Sequence, residues 1–376
     1  MTRVLAVIDS LAPGGAEASL AAIAPHLPSL GIELGVAYFH ERPGLQDELV
    51  AAGAELFSVG GSGRRQWYEG TRRVIGAWRP TLVHTTLFEA DVIGRVAARR
   101  TRTPVVSSLV NEGYGPEFAR GGGARWKLRS AQIVDAATAR LVTRFHAVTA
   151  SVADTMTSRL RLPRHRVDVV HRGRDPNALG RRSADRTAAT RARLGLGEGP
   201  LLLAAGRQEY QKGFDVLLSA FPEISALLPG ATLLVAGRAG RATAALDRQR
   251  APLGDRVRFL GHRSDLADLI SAADAFVLPS RWEGAAGVVL EAMALEAPIV
   301  ASDLVGVREV VGSTAALVPP DDAHALAATI ASTVLDASVR ERAAGARQRF
   351  LDNFTVERSA AGMAAFYERA LSKGRD

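Results

Sequence analysis

The run Phe276-Val-Leu-Pro-Ser-Arg-Trp-Glu-Gly-Ala-Ala-Gly-Val-Val-Leu-Glu-Ala-Met-Ala-Leu-Glu296 decides how this chain is read. Its first three residues are apolar and end at Pro279, which suits a short buried strand. Gly284, Ala285, Ala286 and Gly287 form a turn of tiny residues, and an apolar helical pattern opens at Val288. Where a strand, a small-residue turn and a helix N-terminus meet, free backbone N–H groups converge and an anion is favoured. Glu283 stands at the rim of that turn. Glu291 stands about 6 Å along a helix starting near Gly287, with its side chain tilted back toward the N-terminus. Carboxylates beside an anion site accept hydrogen bonds from hydroxyls, so the pattern suits a phosphate joined to a polyol, as in a nucleotide sugar.

The same alternation extends in both directions. Apolar strand candidates fall at 4–8, 34–39, 82–85, 105–109, 146–149 and 167–170, then at 201–205, 232–236, 257–260, 275–278, 299–301 and 316–318. Helical patterns separate most of them, among them 16–24, 90–99, 215–227, 265–272 and 288–295. Strands apolar on both faces that alternate with helices belong to parallel sheets covered on both sides. Two sets of strands in 376 residues predict an α/β protein of two doubly wound, Rossmann-like domains facing a central cleft. A strand-free stretch near 173–198 reads as the linker, giving domains 1–174 and 175–354. Helical stretches follow at 337–351 and 356–371, and the segment 355–376 is expected to pack back on the first domain.

Composition narrows the class. No cysteine is present, which removes disulfides and thiolate metal sites. The first ten residues break their apolar run with Asp9 and read as a strand, not a signal peptide. No stretch approaches the roughly 18 apolar residues of a spanning helix, so a cytoplasmic location is expected. The net charge of +8 is unevenly placed: residues 1–174 carry 23 Arg and Lys against 15 Asp and Glu, and the remainder is balanced. Between Phe118 and Ala150, Arg120, Arg125, Lys127, Arg129, Arg140 and Arg144 are opposed only by Asp135, with Trp126 and Leu128 among them. This stretch, 118–150, suits peripheral contact with an anionic membrane or an acidic acceptor; a solvated face of an Arg-rich protein is the plainer alternative. No nucleic-acid recognition motif accompanies it.

Other constellations lie just after strands, where ligands of doubly wound folds bind. One is Gly206-Arg-Gln-Glu-Tyr-Gln-Lys-Gly213. Lys127, Lys212 and Lys373 are the only lysines among 47 basic residues, so Lys212 points to a need for a compact point charge instead of a guanidinium fork. Arg207 and Lys212 beside a helix N-terminus would neutralise a diphosphate and stabilise it as a leaving group; helix capping with a solvated Lys is the alternative for that loop alone. Glu291 alone would read as an exposed helix glutamate, as Glu296 does. A glycosidase-type carboxylate pair leaves Arg207 and Lys212 without a role. Another turn is Pro13-Gly14-Gly15-Ala16-Glu17, which is common to doubly wound domains. Neither a dinucleotide fingerprint nor a phosphate-loop sequence occurs. No Asp-x-Asp pair follows a strand and no His pair has metal-ligand spacing, so neither metal nor cofactor is expected.

Taken together these residues resemble a known family. The Gly14-Gly15-Ala16-Glu17 turn, Gly206-Arg207 with Lys212-Gly213, Phe259-Leu-Gly261, and Glu283 with seven residues before Glu291-Ala-Met-Ala are similar, in order and over nearly the whole chain, to retaining glycosyltransferases of the GT-B architecture, specifically glycosyltransferase family four. The resemblance implies a hexose donor linked to UDP or GDP and held mainly by the second domain. Arg207 and Lys212 would bind its diphosphate, Glu291 its ribose hydroxyls and Glu283 its sugar. Gly284, Ala285, Ala286, Gly287 and Val288 would offer backbone N–H groups, Gly15 would touch phosphate from the other domain, and Arg263 would border the base. It also implies retention at the anomeric carbon by front-face attack, without a metal, onto a small-molecule, lipid-linked or glycan acceptor.

There are departures from the family pattern. Many relatives carry a His near the acceptor where Val110 stands here, so Asn111, Glu112 and Tyr114 are the stand-ins, with His84 a further acceptor-side candidate or a satisfied interior residue. Ala285-Ala286 replaces the commoner Phe-Gly. His171-Arg-Gly-Arg-Asp175 replaces Pro-Asn-Gly-x-Asp, adding two cations. Two other readings share the architecture: a nucleotide-sugar 2-epimerase, and a non-catalytic partner subunit, against which the retained Arg207, Lys212, Glu283 and Glu291 argue.

Overall fold

A computed structural model of the chain describes residues 1–115 and 125–372. It divides into two compact units, Met1–Gly173 with Thr355–Asp376, and Arg174–Phe354. The first holds seven strands, β1 (Thr2–Ser10), β2 (Ile32–His40), β3 (Glu55–Ser58), β4 (Leu82–Thr86), β5 (Val105–Leu109), β6 (Arg144–Ala147) and β7 (Val167–Val169). Their order is β3-β2-β1-β4-β5-β6-β7 and every pairing is parallel. Val4 sits opposite both Leu34 and Leu82 in the core on one face, and Leu5 sits opposite Val83 in the core on the other, so the centre of the sheet is apolar on both faces.

Two details depart from the sequence reading. Strand β3 was not expected: it lies at the sheet edge with Glu55 and Ser58 exposed, and so lacks a two-sided apolar run. Strand β6 starts two residues earlier than its hydropathy indicates. Arg144 is accepted into the strand because Asp168 binds its guanidinium at 2.7 and 3.0 Å. Thr149 leaves the strand and caps the helix Ala150–Leu160, accepting from the Val152 N–H at 3.2 Å.

The second unit holds β8 (Leu201–Ala205), β9 (Thr232–Ala236), β10 (Val257–Gly261), β11 (Ala275–Leu278), β12 (Ile299–Ser302) and β13 (Ala316–Val318), ordered β10-β9-β8-β11-β12-β13 and also all parallel. The stretch read as a linker is largely helical. Helices Pro176–Leu179 and Ala184–Arg193 are capped by Asp175 and Ser183, and Arg186 ties the second to Asp268 at 2.7 Å.

The helix Val356–Ser372 belongs to the first unit. It buries Val356, Ala360, Met363, Phe366, Tyr367 and Ala370 in the core that holds Ala6, Ile8 and Val170. Gly173 makes the crossing possible, since a Cβ there would strike the Thr355 carbonyl. No helix among the described residues is long and apolar enough to cross a membrane.

Candidate functional site

In the second unit the strand order reverses between β8 and β11, so the turns that leave these neighbours lie at a topological switch point, the place where ligands of such sheets bind. The turn after β8 runs from Gly206 to Gly213. Gly213 is left-handed, φ 62°, and any Cβ on it would collide with the Pro279 carbonyl at the exit of β11. Arg281 fastens the two turns together: its guanidinium donates to the Tyr210 carbonyl at 2.6 Å, to Asp215 at 2.9 and 2.7 Å and to Asp321 at 2.6 Å. It also lies 3.8 Å over the Tyr210 ring. Sequence reasoning passed over Arg281; its available signal was a cation in the short turn between an apolar strand and Glu283.

On this frame Lys212 and Glu283 meet directly. Nζ of Lys212 is 2.5 Å from Oε1 of Glu283, and the Ser280 hydroxyl donates to the same oxygen at 2.7 Å. The Glu283 side chain is 6% exposed and that of Lys212 19%. A carboxylate so nearly removed from water requires this pairing. Arg207 is exposed, and no hydrogen bond or ion pair of its guanidinium occurs among the described residues.

The helix Gly287–Ala294 starts at Gly287, and Ala286 in the cap position makes no side-chain hydrogen bond to it. Gly284 and Ala286 are buried; Ala285, Gly287 and Val288 are half-buried. Glu291 is not free, because Oε1 accepts from Nε of Arg174 at 2.7 Å. Arg263 is held two residues on by Asp265, at 2.7 and 2.6 Å, and Arg193 shares that carboxylate at 2.8 Å. The pairing raises the Arg263 guanidinium and holds Asp265 below the usual carboxylate range.

The first unit spends most of its candidate residues internally. Gly15 opens the helix Gly15–Ile23, and a Cβ on it would lie 2.8 Å from Nη1 of Arg172. His84 is buried, with Nδ1 2.8 Å from the Tyr367 hydroxyl and Nε2 2.7 Å from Ser108 Oγ; Ser108 continues to His146 Nδ1 at 2.8 Å, and His146 Nε2 reaches the Val170 carbonyl at 2.9 Å. Burial lowers His84 to about 3 and His146 to about 4, so both rings are neutral. The Val170 carbonyl can only accept, which orients the whole chain of bonds: Tyr367 O–H to His84, His84 N–H to Ser108, Ser108 O–H to His146, His146 N–H to Val170. Both nitrogens of His84 are thereby used inside the unit.

Glu112 accepts from the Ser151 hydroxyl at 2.5 Å. Tyr114, at φ 71°, donates to Asp135 at 2.7 Å, and Asp135 pairs with the fully buried Arg95. Burial and that carboxylate hold the Tyr114 phenol well above its ordinary range. Asn111 is exposed. Asp9, at the end of β1, accepts from the Ala90 N–H at 3.0 Å, and burial raises it to about 6. It appeared in the sequence only as a break in an apolar run.

Of the basic stretch, Phe118 and Arg120 lie outside the described residues. The helix Arg125–Ala139 leaves Trp126 70% and Ile133 62% exposed. A groove of about 890 Å³ beside it is lined by Arg125, Arg129, Arg140, Arg159, Arg161 and Arg166.

Comparison with known proteins agrees with this arrangement. The family described as Glycosyltransferase Family 4 matches residues 13–178, and Glycosyl transferases group 1 matches residues 199–336. A D-inositol 3-phosphate glycosyltransferase of Streptomyces avermitilis is 33% identical over 339 residues, covering 81% of this chain and 70% of that protein. A glycogen synthase of Mycobacterium tuberculosis is 38% identical over 186 residues, 48% of this chain and 44% of that protein. The lipopolysaccharide core biosynthesis mannosyltransferase LpsB of Rhizobium meliloti is 34% identical over 200 residues, 50% of this chain and 56% of that protein. The chain spans about half the length of these last two relatives. The crystal structure of Anabaena HepE in complex with UDP-glucose shares the fold, with a TM-score of 0.86 over 98% of this chain and 100% of that one at 23% identity. The chain belongs to glycosyltransferase family four and is built on two Rossmann-like α/β units.

Proposed function

We propose that the protein is a retaining, metal-independent hexosyltransferase that takes its sugar from a nucleotide diphosphate and needs no cofactor. The observation that carries this reading is the convergence, at the β8/β11 reversal, of the Lys212–Glu283 pair, the exposed Arg207 and the helix that begins at Gly287 and carries Glu291. Arg207 and Lys212 hold the diphosphate and stabilise its charge as it departs. Lys212 shifts from Glu283 toward phosphate when the donor arrives, which leaves the Glu283 carboxylate to orient the sugar. Glu291 receives the ribose hydroxyls, the backbone of 284–288 supplies N–H donors and Arg263 borders the base. In front-face transfer the acceptor oxygen bonds to the anomeric carbon, the bond from that carbon to the phosphate oxygen breaks, and the departing phosphate takes the acceptor proton.

A UDP-linked donor is supported by HepE, crystallised with UDP-glucose; a GDP-linked one is the other arm of the test. The inositol phosphate relative supports an anionic small-molecule acceptor. Asn111 is the proposed acceptor contact, with Glu112 and Tyr114 shaping its turn and His84 the strand behind it. Exposed Trp126 and Ile133 within the basic helix support peripheral contact between a cytoplasmic protein and anionic membrane. The protein should be incubated with UDP- and GDP-hexoses, with and without chelator and with graded acceptors, and the products followed by NMR. Sugar transferred with its anomeric configuration kept, in chelator, is the expected result. An epimerised donor would sink the transferase reading, and binding without turnover across acceptors would mark a partner subunit.

A further inference from the structure

Residues 210–212 and 281–283 lie side by side in the second unit, matched one for one. Nη1 of Arg281 donates to the Tyr210 carbonyl at 2.6 Å, and Nε2 of Gln211 donates to the Trp282 carbonyl at 2.8 Å. Nζ of Lys212 donates to Oε1 of Glu283 at 2.5 Å. Each pair is 71 residues apart in sequence, so the two turns keep a single register. The backbone N–H of Arg281 reinforces it by donating to the Gln211 carbonyl at 2.8 Å.

Arg281 anchors this ladder from outside the charged pair. Its side chain is 10% exposed, and its guanidinium reaches Asp215, in the first turn of the helix Phe214–Leu227, and Asp321, beyond β13. Tyr210, Gln211 and Lys212 form one short 3-10 turn, so a clamp on Tyr210 also fixes the backbone that carries Lys212. Lysine is a flexible stem with a point charge at its tip, and the place where its root is held decides which atoms the ammonium reaches. Among the described residues no hydrogen bond joins Arg281 to the side chain of Lys212 or Glu283.

We propose that Arg281 is a positioning residue for sugar transfer, acting through Lys212: it keeps 210–212 in register with 281–283 and so aims the ammonium at the donor diphosphate. The proposal rests on the donor-site reading above. When Lys212 shifts to phosphate only its own rung opens, and the rungs made by Arg281 and Gln211 hold its backbone in place. A residue that acts through Lys212 has nothing left to aim once that ammonium is removed. One that merely stabilises the fold matters equally with or without it.

Binding of UDP and of uridine, with GDP and guanosine in parallel, should be titrated by ligand-detected NMR on the full chain. The variants are Arg281→Met, Arg281→Lys, Lys212→Ala and the two double variants, with circular dichroism confirming each fold. Arg281→Met should weaken the diphosphate about tenfold, within the coupling of neighbouring residues, and the nucleoside by no more than about twofold. In the Lys212→Ala background the same substitution should cost the diphosphate no more than about twofold. Arg281→Lys keeps the charge but not the fork that spans Tyr210, Asp215 and Asp321. It should show a smaller loss with the same pattern, and it carries the comparison if the Met variants fail to fold. Equal losses for nucleoside and diphosphate, an undiminished loss in the Lys212→Ala background, or wild-type affinity in a folded Arg281 variant would overturn the proposal, while a diphosphate deficit in Lys212→Ala leaves the donor site standing. If the wild type binds neither diphosphate, or Lys212→Ala binds as tightly as the wild type, the donor reading falls and takes the proposal with it.

Discussion

The ammonium of Lys212 and the carboxylate of Glu283 are 71 residues apart in sequence and 2.5 Å apart in space. Removing one partner leaves the other charge poorly solvated, at a cost of about 3 kcal/mol for a pair this buried. Lys212→Met should therefore destabilise the protein more than the double variant Lys212→Met/Glu283→Gln does, in denaturant unfolding; strictly additive losses would show that the pair does not act as one. Turnover should fall by orders of magnitude in Lys212→Ala and Glu291→Ala while circular dichroism shows the fold kept, and near wild-type rates in either would remove the donor-site assignment. Both glutamates and Lys212 were legible as residues of interest. That Lys212 and Arg174 each hold one of those glutamates was not, because pairing depends on which turns the sheet brings together.

At the scale of elements, the bonded chain from Tyr367 through His84 and Ser108 to His146 joins the helix Val356–Ser372 to β4, β5 and β6. Tyr367→Phe deletes the donor to a buried ring nitrogen and should cost about 1–3 kcal/mol in thermal or denaturant unfolding. The buried rings also set a pH dependence. His84 is lowered to about 3 when folded, against an unfolded value near 6.5. Its contribution is complete above about pH 6.5 and is lost as pH falls toward 3, because only the unfolded chain takes up the proton in that window. Asp9, raised to about 6, works the other way, its share lost as pH rises from about 4 to 6. Comparing the wild type with His84→Gln cancels Asp9: the stability difference in favour of the wild type should shrink between pH 6.5 and 4.5, and a constant difference would count against the buried neutral His84. Element reading from sequence missed β3 and displaced β6, since hydropathy registers neither a half-exposed edge strand nor an arginine satisfied by a strand neighbour.

For the whole molecule, the first unit is built from two distant pieces of chain. The helix Val356–Ser372 supplies six buried residues to its core, among them Phe366 and Tyr367. At about 1.5–3 kcal/mol for each large apolar side chain buried, its removal costs an amount comparable to the whole stability of an ordinary domain. A chain ended at Phe354 should lose the calorimetric transition of the first unit and retain that of the second; two intact transitions would show that the helix is dispensable.

Strand alternation, the tiny-residue turn before Gly287 and the Lys212-Gly213 loop are local patterns, so the sequence alone determined two doubly wound sheets and the family. Only the tertiary structure decided whom each charge faces. It placed His84 against Tyr367, 283 residues away, and Arg174 against Glu291, 117 residues away. Hydrophobic periodicity records which way a side chain points within its own element. The partner of a buried polar group is set by the packing of elements far apart in the chain.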